Sequence, residues 1–562
     1  MRLDSRAALA CPEYLHKKYA PSCFDLTDVV ELSPVAQAMS DQGFIHEQRV
    51  LEKLRLANRN HKLIDASLAT PLRETHTVNA LLDPTVHMII APVLGETAEQ
   101  LIAERLGTTW QNDHLRNSRP DLLIRLTAEP APFGTWAAVD IKSHGSFDKK
   151  NKSNQVTVTP TTSIPGSALD PTPGRIKEDD ALQLAHYQRH LESLGIANAE
   201  TWAGIIGRDM ESITWARLDQ TTFGSGRSAI DALSKYDTSF ASAVKVVTAA
   251  EARNNNHQLS AQSMPMYDAN AKKCPTCTFQ KICLDEMANY KGSGNVTLLA
   301  TVTPSKTTSE LPAGISISEL ATTNMPLSPF GELARQRARV YLTKKPELRL
   351  DVTDFVIPTF DVEIDIDLEN SQGVLQELGF DESVEPDRLY LYGYIAHYRT
   401  ADTEWRNSES GTFEDYSGTR EGEHSVYLRM WNYLQEQISH ATLHNKTIGI
   451  FHYSQHEVTW WRKWVANFSD LEGTPSNDEM DDFLATNMHD LYPLAQKVVF
   501  PANDKSPVCS YSIKCIAPLS GFTWKADDAG GANSLLKYKE ATDSDPDRVN
   551  DARKWLRDYN VD

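Results

Sequence analysis

The sequence predicts an α/β protein, with two α/β domains in succession and a small helical connector between them. Three observations carry this. Short apolar runs of strand character, among them Leu122–Ile124, Trp136–Ile141 and Trp202–Ile206, alternate with stretches whose apolar residues recur at helical spacing. A segment rich in Gly, Ser, Thr and Pro, Lys291–Pro312, reads as a linker. Beyond it a second strand-rich series starts at Phe360. With 562 residues the chain is long enough for two or three full cores.

In the first domain, expected over residues 1–290, positions 1–110 are mostly helical: Ser33–Met39, Gln48–Ala57 and Pro92–Arg105 carry the helical period. Arg119-Pro-Asp121 then leads into the strand Leu122–Ile124, Glu129–Gly134 is a turn, and Trp136–Ile141 is the second arm of a hairpin. Asp140 and Lys142 are two apart, so their side chains leave one face, and Asp121 can meet them across the hairpin. Two carboxylates and an amine at one point suit a divalent cation beside a water to be deprotonated. Taken alone, the three residues favour an ion pair on the wet face of an antiparallel hairpin. Phe147–Arg175 is rich in Ser, Thr, Pro and Asn and is expected to be a mobile loop near the site. A helix follows, begun at Asp179/Asp180 and stopped by Gly195, with Gln183 and Tyr187 one turn apart on a shared face.

Seven cysteines in a reducing compartment do not form a disulfide framework. Cys274-Pro-Thr-Cys277 and Cys283 form a tight group that needs one more thiolate to complete a tetrahedral zinc or a cubane iron–sulfur site. Cys11 is the first choice and Cys23 the second. Cys509 and Cys515 read as small buried apolar residues.

Residues 291–350 are the linker and connector, and they hold a basic cluster of Arg335, Arg337, Arg339, Lys344, Lys345 and Arg349. That cluster is either a solvated helix face or a surface that tracks a polyanion. The second domain, 351–562, opens with Phe360–Leu368, in which alternation puts Asp361, Glu363, Asp365 and Asp367 on one face. Leu389–His397 is a neighbouring strand, Glu423–Ser439 a helix, Ile448–Tyr453 a strand, and a helix begins near Trp460.

Pro-Asp121, a spacer, then Asp140-x-Lys142 resembles the signature of the PD-(D/E)xK nucleases. An upstream His46 and the downstream Gln183-x-x-x-Tyr187 make it similar to their RecB-like branch. The resemblance implies a restriction-endonuclease-like fold, with His46, Asp121, Asp140 and the Ile141 carbonyl holding Mg²⁺ or Mn²⁺. Lys142 would activate the attacking water, Gln183 and Tyr187 would orient the substrate, and Glu47 would support the metal shell. One cysteine before this core and three after it resembles the [4Fe–4S] staple of AddB-type and related nucleases, with Cys11, Cys274, Cys277 and Cys283 as ligands and zinc as the alternative. The C-terminal series resembles the RNase H-like domain of DEDD exonucleases, in which Asp361, Glu363, Glu457 and Asp490 would make a second site. Tyr559-Asn-Val-Asp562 begins a final Tyr-x-x-x-Asp motif, whose aspartate would fall one residue beyond Asp562.

The implied activity is metal-dependent hydrolysis of DNA, on single strands or ends, in repair, recombination or defence. A helicase is expected as partner, in trans or in a longer chain. The alternative is a catalytically degenerate scaffold that binds DNA and docks a helicase. A formal charge of −20 argues against a broad basic surface, so phosphate binding would have to come from local groups and bound metal. No P-loop, His-Glu-x-x-His or Gly-x-Ser-x-Gly pattern is present. No apolar run reaches bilayer-spanning length and no signal-peptide core follows Met1, so the expected location is cytoplasmic, without a membrane partner.

Overall fold

The structure, a computed structural model, describes residues 2–24, 29, 34–57, 60–110, 115–148, 153–161, 171–256, 274, 277–349, 352–371, 387–399, 405–502, 507–522, 531–543 and 545–560. Asp562 and positions 162–170 of the expected loop lie outside them. The chain divides into two compact units, residues 1–27 with 40–262, and residues 28–39 with 263–562. Both are mixed α/β. Among the described residues no helix is long and apolar enough to cross a membrane.

The first unit contains α1 (Pro12–Tyr19), most of α2 (Pro34–Ala57), β1 (His61–Leu63), α3 (Thr70–Leu82), β2 (Met88–Ile90), α4 (Glu96–Leu106), β3 (Leu122–Thr127), β4 (Thr135–Ile141), β5 (Gln155–Pro160), β6 (Thr172–Pro173), α5 (Glu178–Ser193), β7 (Trp202–Ile206), β8 (Ser212–Arg217), the short β9 (Thr222–Phe223) and β10 (Ile230–Asp231), and α6 (Ala232–Asn256). Eight strands make one mixed sheet in the order β1-β2-β3-β4-β7-β8-β5-β6. At its centre β4 runs antiparallel to β3 and parallel to β7. Alternation sorts the two faces. Leu122, Ile124, Ala137, Val139 and Ile141 bury against Val50, Leu51 and Leu54 of α2. Leu123, Trp136 and Ala138 bury with Leu184, Ala185 and Leu191 of α5. Asp140, in step with Trp136 and Ala138, therefore leaves the sheet on the α5 side.

Two composition-based expectations give way here. Phe147–Arg175 holds β5 and β6, and Val156 and Thr159 of β5 are buried where it pairs with β8. The Val/Thr alternation of Gln155–Pro160 outweighs the polar content around it. Lys291–Pro312 supplies Val296, Leu298, Leu299, Val302 and Leu311 to a buried helical cluster, which includes Cys509.

The second unit begins with α7 (Gln280–Ala288), α8 (Pro304–Glu310), α9 (Ile317–Thr322) and α10 (Pro329–Thr343). The expected basic cluster does not form one face: two of its arginines cap α9, while Lys344 and Lys345 are exposed. Arg335 donates to the Thr323 carbonyl and Arg339 to the Ala321 carbonyl, both at 3.0 Å, at the C-terminal end of α9 where the helix dipole favours cations. Arg337 is buried beside Tyr511. There follow β11 (Glu347–Leu348), β12 (Val362–Asn370), β13 (Leu389–Arg399), β14 (Trp405–Glu414), α11 (Arg420–Leu443), β15 (Ile448–His452), α12 (His456–Phe468), α13 (Asn477–Asn487), β16 (Met488–Asp490), α14 (Leu491–Val498), β17 (Val499–Phe500), α15 (Ile513–Ile516), α16 (Gly531–Ala541) and α17 (Pro546–Asn560).

Five strands form the second sheet in the order β14-β13-β12-β15-β16. The first three are antiparallel neighbours, and β12, β15 and β16 run parallel. Trp460, Trp461, Trp464, Val465 and Phe468 give α12 an apolar stripe that packs with Tyr392 and Tyr427. α17 docks where β13 has a glycine: a β-carbon at Gly393 would fall 2.4 Å from the Asn560 carbonyl oxygen.

Trp461 is fully buried and stacked on Tyr392 at 5.2 Å between ring centres. Trp461→Ala should therefore cost about 3–5 kcal/mol. Urea unfolding followed by circular dichroism measures this, and a loss below about 1 kcal/mol would contradict the packing described.

Candidate active site

Register builds the first site. Leu122 pairs with Val139 across the β3–β4 hairpin, so Asp121 stands opposite Asp140. The Ile141 amide donates to Asp121 Oδ2 (2.6 Å), and the Asp121 amide lies 3.5 Å from Asp140 Oδ1. Lys142 Nζ donates to Asp140 Oδ2 (3.1 Å) and to Gln183 Oε1 (2.9 Å), and sits 4.0 Å from Asp180 Oδ1. Gln183 Nε2 donates to the Tyr187 hydroxyl (2.8 Å), which donates to the Arg119 carbonyl (3.3 Å). The ammonium is thus fixed from α5 by a chain of hydrogen bonds that ends on the backbone just before Asp121.

Asp140 is buried and Asp121 is partly reached by solvent. Burial, then the charges of Asp140 and Glu47, push Asp121 well above the ordinary carboxylate range. Burial also raises Asp140, with Lys142 opposing it. Glu47 is raised by burial and by Asp140. Burial would pull Lys142 down, but Asp140, Asp180 and Asp121 more than offset it and hold the ammonium charged. Three carboxylates close enough to perturb one another, facing one ammonium, form a site with excess negative charge, which a divalent cation would neutralise. His46, buried on α2, immediately precedes Glu47. Two residues that sequence reasoning did not single out join the site. Asp180, in the first turn of α5, bridges Lys142 and His144, and His144 Nε2 lies 3.4 Å from Asp180 Oδ2. The pattern Asp140-x-Lys142-x-His144 held a signal for His144.

The four cysteines expected to form one staple divide between the units. Cys11 caps α1 in the first, its sulfur accepting from the Tyr14 amide at 3.5 Å. Cys274, Cys277 and Cys283 belong to the second, where the Cys277 amide donates to the Cys274 carbonyl (3.2 Å) and Cys283 rides on α7. None of the seven is in a disulfide, and Cys509 and Cys515 are buried as expected.

In the second unit the acids gather elsewhere than expected. Asp361 is occupied at the start of β12, accepting from the amide and hydroxyl of Thr447 at 2.8 Å each, and Glu363 accepts from the Phe360 amide and pairs with Arg399. Thr447 precedes β15, whereas Glu457 lies beyond its far end, about 16 Å away for five strand residues. Asp361 and Glu363 are therefore not the partners of Glu457. The second Asp-x-Glu of the same strand is. Burial and the charge of Glu457 raise Asp367, and burial and Asp367 raise Glu369. Asp367 is exposed to solvent on β12. Tyr559 on α17 is pushed up to about 12 by burial and by the charges of Glu369 and Asp367. Ser534 donates to Glu369 (2.7 Å), and His452 Nδ1 lies 3.4 Å from Glu457. Asp490 braces the turn before α12, accepting from the Ser454 amide (2.8 Å) and the Tyr492 amide (2.9 Å).

Among the described residues no three His, Cys, Asp or Glu side chains stand in a geometry ready to hold a metal ion. Compared with family models, curated proteins and solved structures, the chain matches none.

Because Asp121 is raised by burial and like charge, the native state binds its proton more tightly than the unfolded chain does. Stability then falls as pH climbs from the unfolded carboxylate pKa through the raised one. Asp121→Asn should stabilise the metal-free protein at pH 7.5 by about 1–2 kcal/mol, roughly 2–6 °C in Tm, and the gain should vanish near pH 4. Thermal unfolding of both forms in chelator measures it. An unchanged or lower Tm at pH 7.5 would contradict the electrostatics above.

Proposed function

We propose that the chain is a metal-dependent deoxyribonuclease whose principal site is the Asp121/Asp140/Lys142 cluster, within a RecB-like PD-(D/E)xK domain. The observation that carries this reading is Lys142: a charged ammonium held by Asp140 and Gln183 over two facing aspartates. An ion pair on the wet face of a hairpin would not need a second, helix-borne chain of donors and acceptors to aim it.

Asp121 and Asp140, with His46, Glu47 and the Ile141 carbonyl as further candidates, would hold Mg²⁺ or Mn²⁺. When bound, such an ion supplies positive charge to the phosphoryl oxygens and makes a coordinated water more acidic. Lys142 orients that water and offsets negative charge as it develops on phosphorus. Gln183 and Tyr187 keep the ammonium from swinging out to solvent. Asp180 keeps it protonated.

A second site on the RNase H-like reading of the C-terminal unit has its own support. The antiparallel trio β14-β13-β12 followed by parallel β15 and β16 suits that fold, and Asp367, Glu369 and Glu457 supply acids of the DEDD type, with Tyr559 pushed up by the charges of the first two. The test is cleavage of end-labelled single- and double-stranded DNA with Mn²⁺. Lys142→Ala should lower the rate by about two to four orders of magnitude. Asp367→Asn tests the second site in the same assay, and Asp361→Asn should leave cleavage unchanged. Near-normal cleavage by Lys142→Ala would move the chemistry to the second unit or end the proposal.

Cys274, Cys277 and Cys283 offer three thiolates for an iron–sulfur cluster or zinc. Cys277→Ser should lower bound iron or zinc per chain in protein purified without oxygen, as read by elemental analysis. Equal metal content in both forms would remove the cysteines from the proposal.

A further inference from the structure

The two loops that follow β4 and β7 lie side by side, because those strands are parallel neighbours and Ile141 pairs with Ile206. In open α/β sheets ligands bind outside the carboxyl ends of strands, which is where these loops stand. They are locked together. The Lys142 amide donates to the Ile206 carbonyl (2.9 Å) and the Arg208 amide to the His144 carbonyl (3.1 Å), while Thr214 Oγ1 of β8 donates to Ser146 Oγ (2.7 Å). Contact is close enough that a β-carbon at Gly207 would lie 2.8 Å from the Ser146 amide nitrogen.

The lock brings an arginine and a histidine to the lip of an otherwise acidic cleft. Arg208 Nε donates to the Ser143 carbonyl (3.2 Å), which sets the plane of its guanidinium beside the 142–146 loop. His144 has Nδ1 2.9 Å from the Gly145 carbonyl oxygen and Nε2 3.4 Å from Asp180 Oδ2. Each ring nitrogen therefore has an oxygen acceptor beside it, which fixes the plane of the imidazole at the cleft lip. The charged groups facing His144 are Asp180 of α5, Lys142 earlier in its own loop and Arg208 of the neighbouring loop. His144 is 31% exposed and Arg208 is half-buried, so both line the surface and not the core.

We propose that His144 and Arg208 form a subsite for a second phosphate, the neighbour of the one cleaved, on a single nucleic-acid strand. The proposal rests on the nuclease reading of the Asp121/Asp140/Lys142 site and adds to it a minimal substrate: a chain with two consecutive charged phosphates. It accounts for how a protein of net charge −20 would engage a polyanion, through a fixed guanidinium and an imidazole next to the acids. Arginine suits the role because its planar fork can meet two phosphate oxygens.

The test uses the full chain with Mn²⁺ and a single-stranded oligonucleotide, unmodified or carrying one uncharged methylphosphonate beside the cleaved linkage. Wild type should lose about tenfold in kcat/KM when the neighbouring phosphate is neutral. His144→Gln and Arg208→Gln should each raise KM by about five- to tenfold with kcat nearly unchanged, and should respond less to the methylphosphonate. Arg208→Lys should recover part of the loss. Variants with wild-type KM, or with undiminished sensitivity to the neutral linkage, would overturn the subsite while leaving the nuclease reading intact. Binding of the same oligonucleotides by fluorescence anisotropy in Ca²⁺ separates the two ideas. If wild type cuts nothing but binding weakens in both variants, the subsite stands and the chemistry falls. If wild type neither cuts nor binds, both fall.

Discussion

Putting several carboxylates within reach of one another inside a protein is the constraint from which the first unit's architecture follows. Each ionised acid there raises the cost of the next, and one ammonium does not balance three. The hairpin register sets Asp121 against Asp140 and spends one oxygen of Asp121 on the Ile141 amide. α5 contributes three side chains from one stretch: Asp180 from its first turn, then Gln183 and Tyr187 one helical turn apart. The ammonium they hold has little freedom to leave. The apolar cores on both faces of the sheet supply the rigidity that keeps such a cluster assembled.

The first site was legible in the sequence because its parts are local. A strand of period two fixes which way Asp140 and Lys142 point, and a helix of period 3.6 fixes Gln183 against Tyr187. His144 and Asp180 were passed over because neither belongs to a motif on its own; their meeting depends on how β4 and α5 cross. The second unit shows the limit more sharply. β12 carries Asp-x-Glu twice, at 361 and at 367, and nothing along the chain says which copy faces the loop after β15. Parallel pairing decides it, since Asp365 already stands beside Phe451 and the strand's later residues are the ones that approach Glu457.

Composition misled in both directions. Ser, Thr and Pro made Phe147–Arg175 look like a loop, although its Val/Thr alternation supports two strands. Gly, Ser and Thr likewise hid the five apolar residues of Lys291–Pro312 that enter a helical core. The arginines at 335 and 339 looked like a surface for a polyanion. They are bound to the end of α9. In each case the residues that count are a minority of the segment, and averages over the segment conceal them.

The glycine at 393 has a consequence for the seating of α17. The end of α17 lies close against β13 because Gly393 presents bare backbone to Asn560. A single methyl group at that position would force the end of α17 to shift, since its nearest obstacle is a main-chain oxygen that no side-chain rotation can move. Position 393 is in effect a keyhole cut in a strand, and the end of α17 keeps its place for as long as it stays empty.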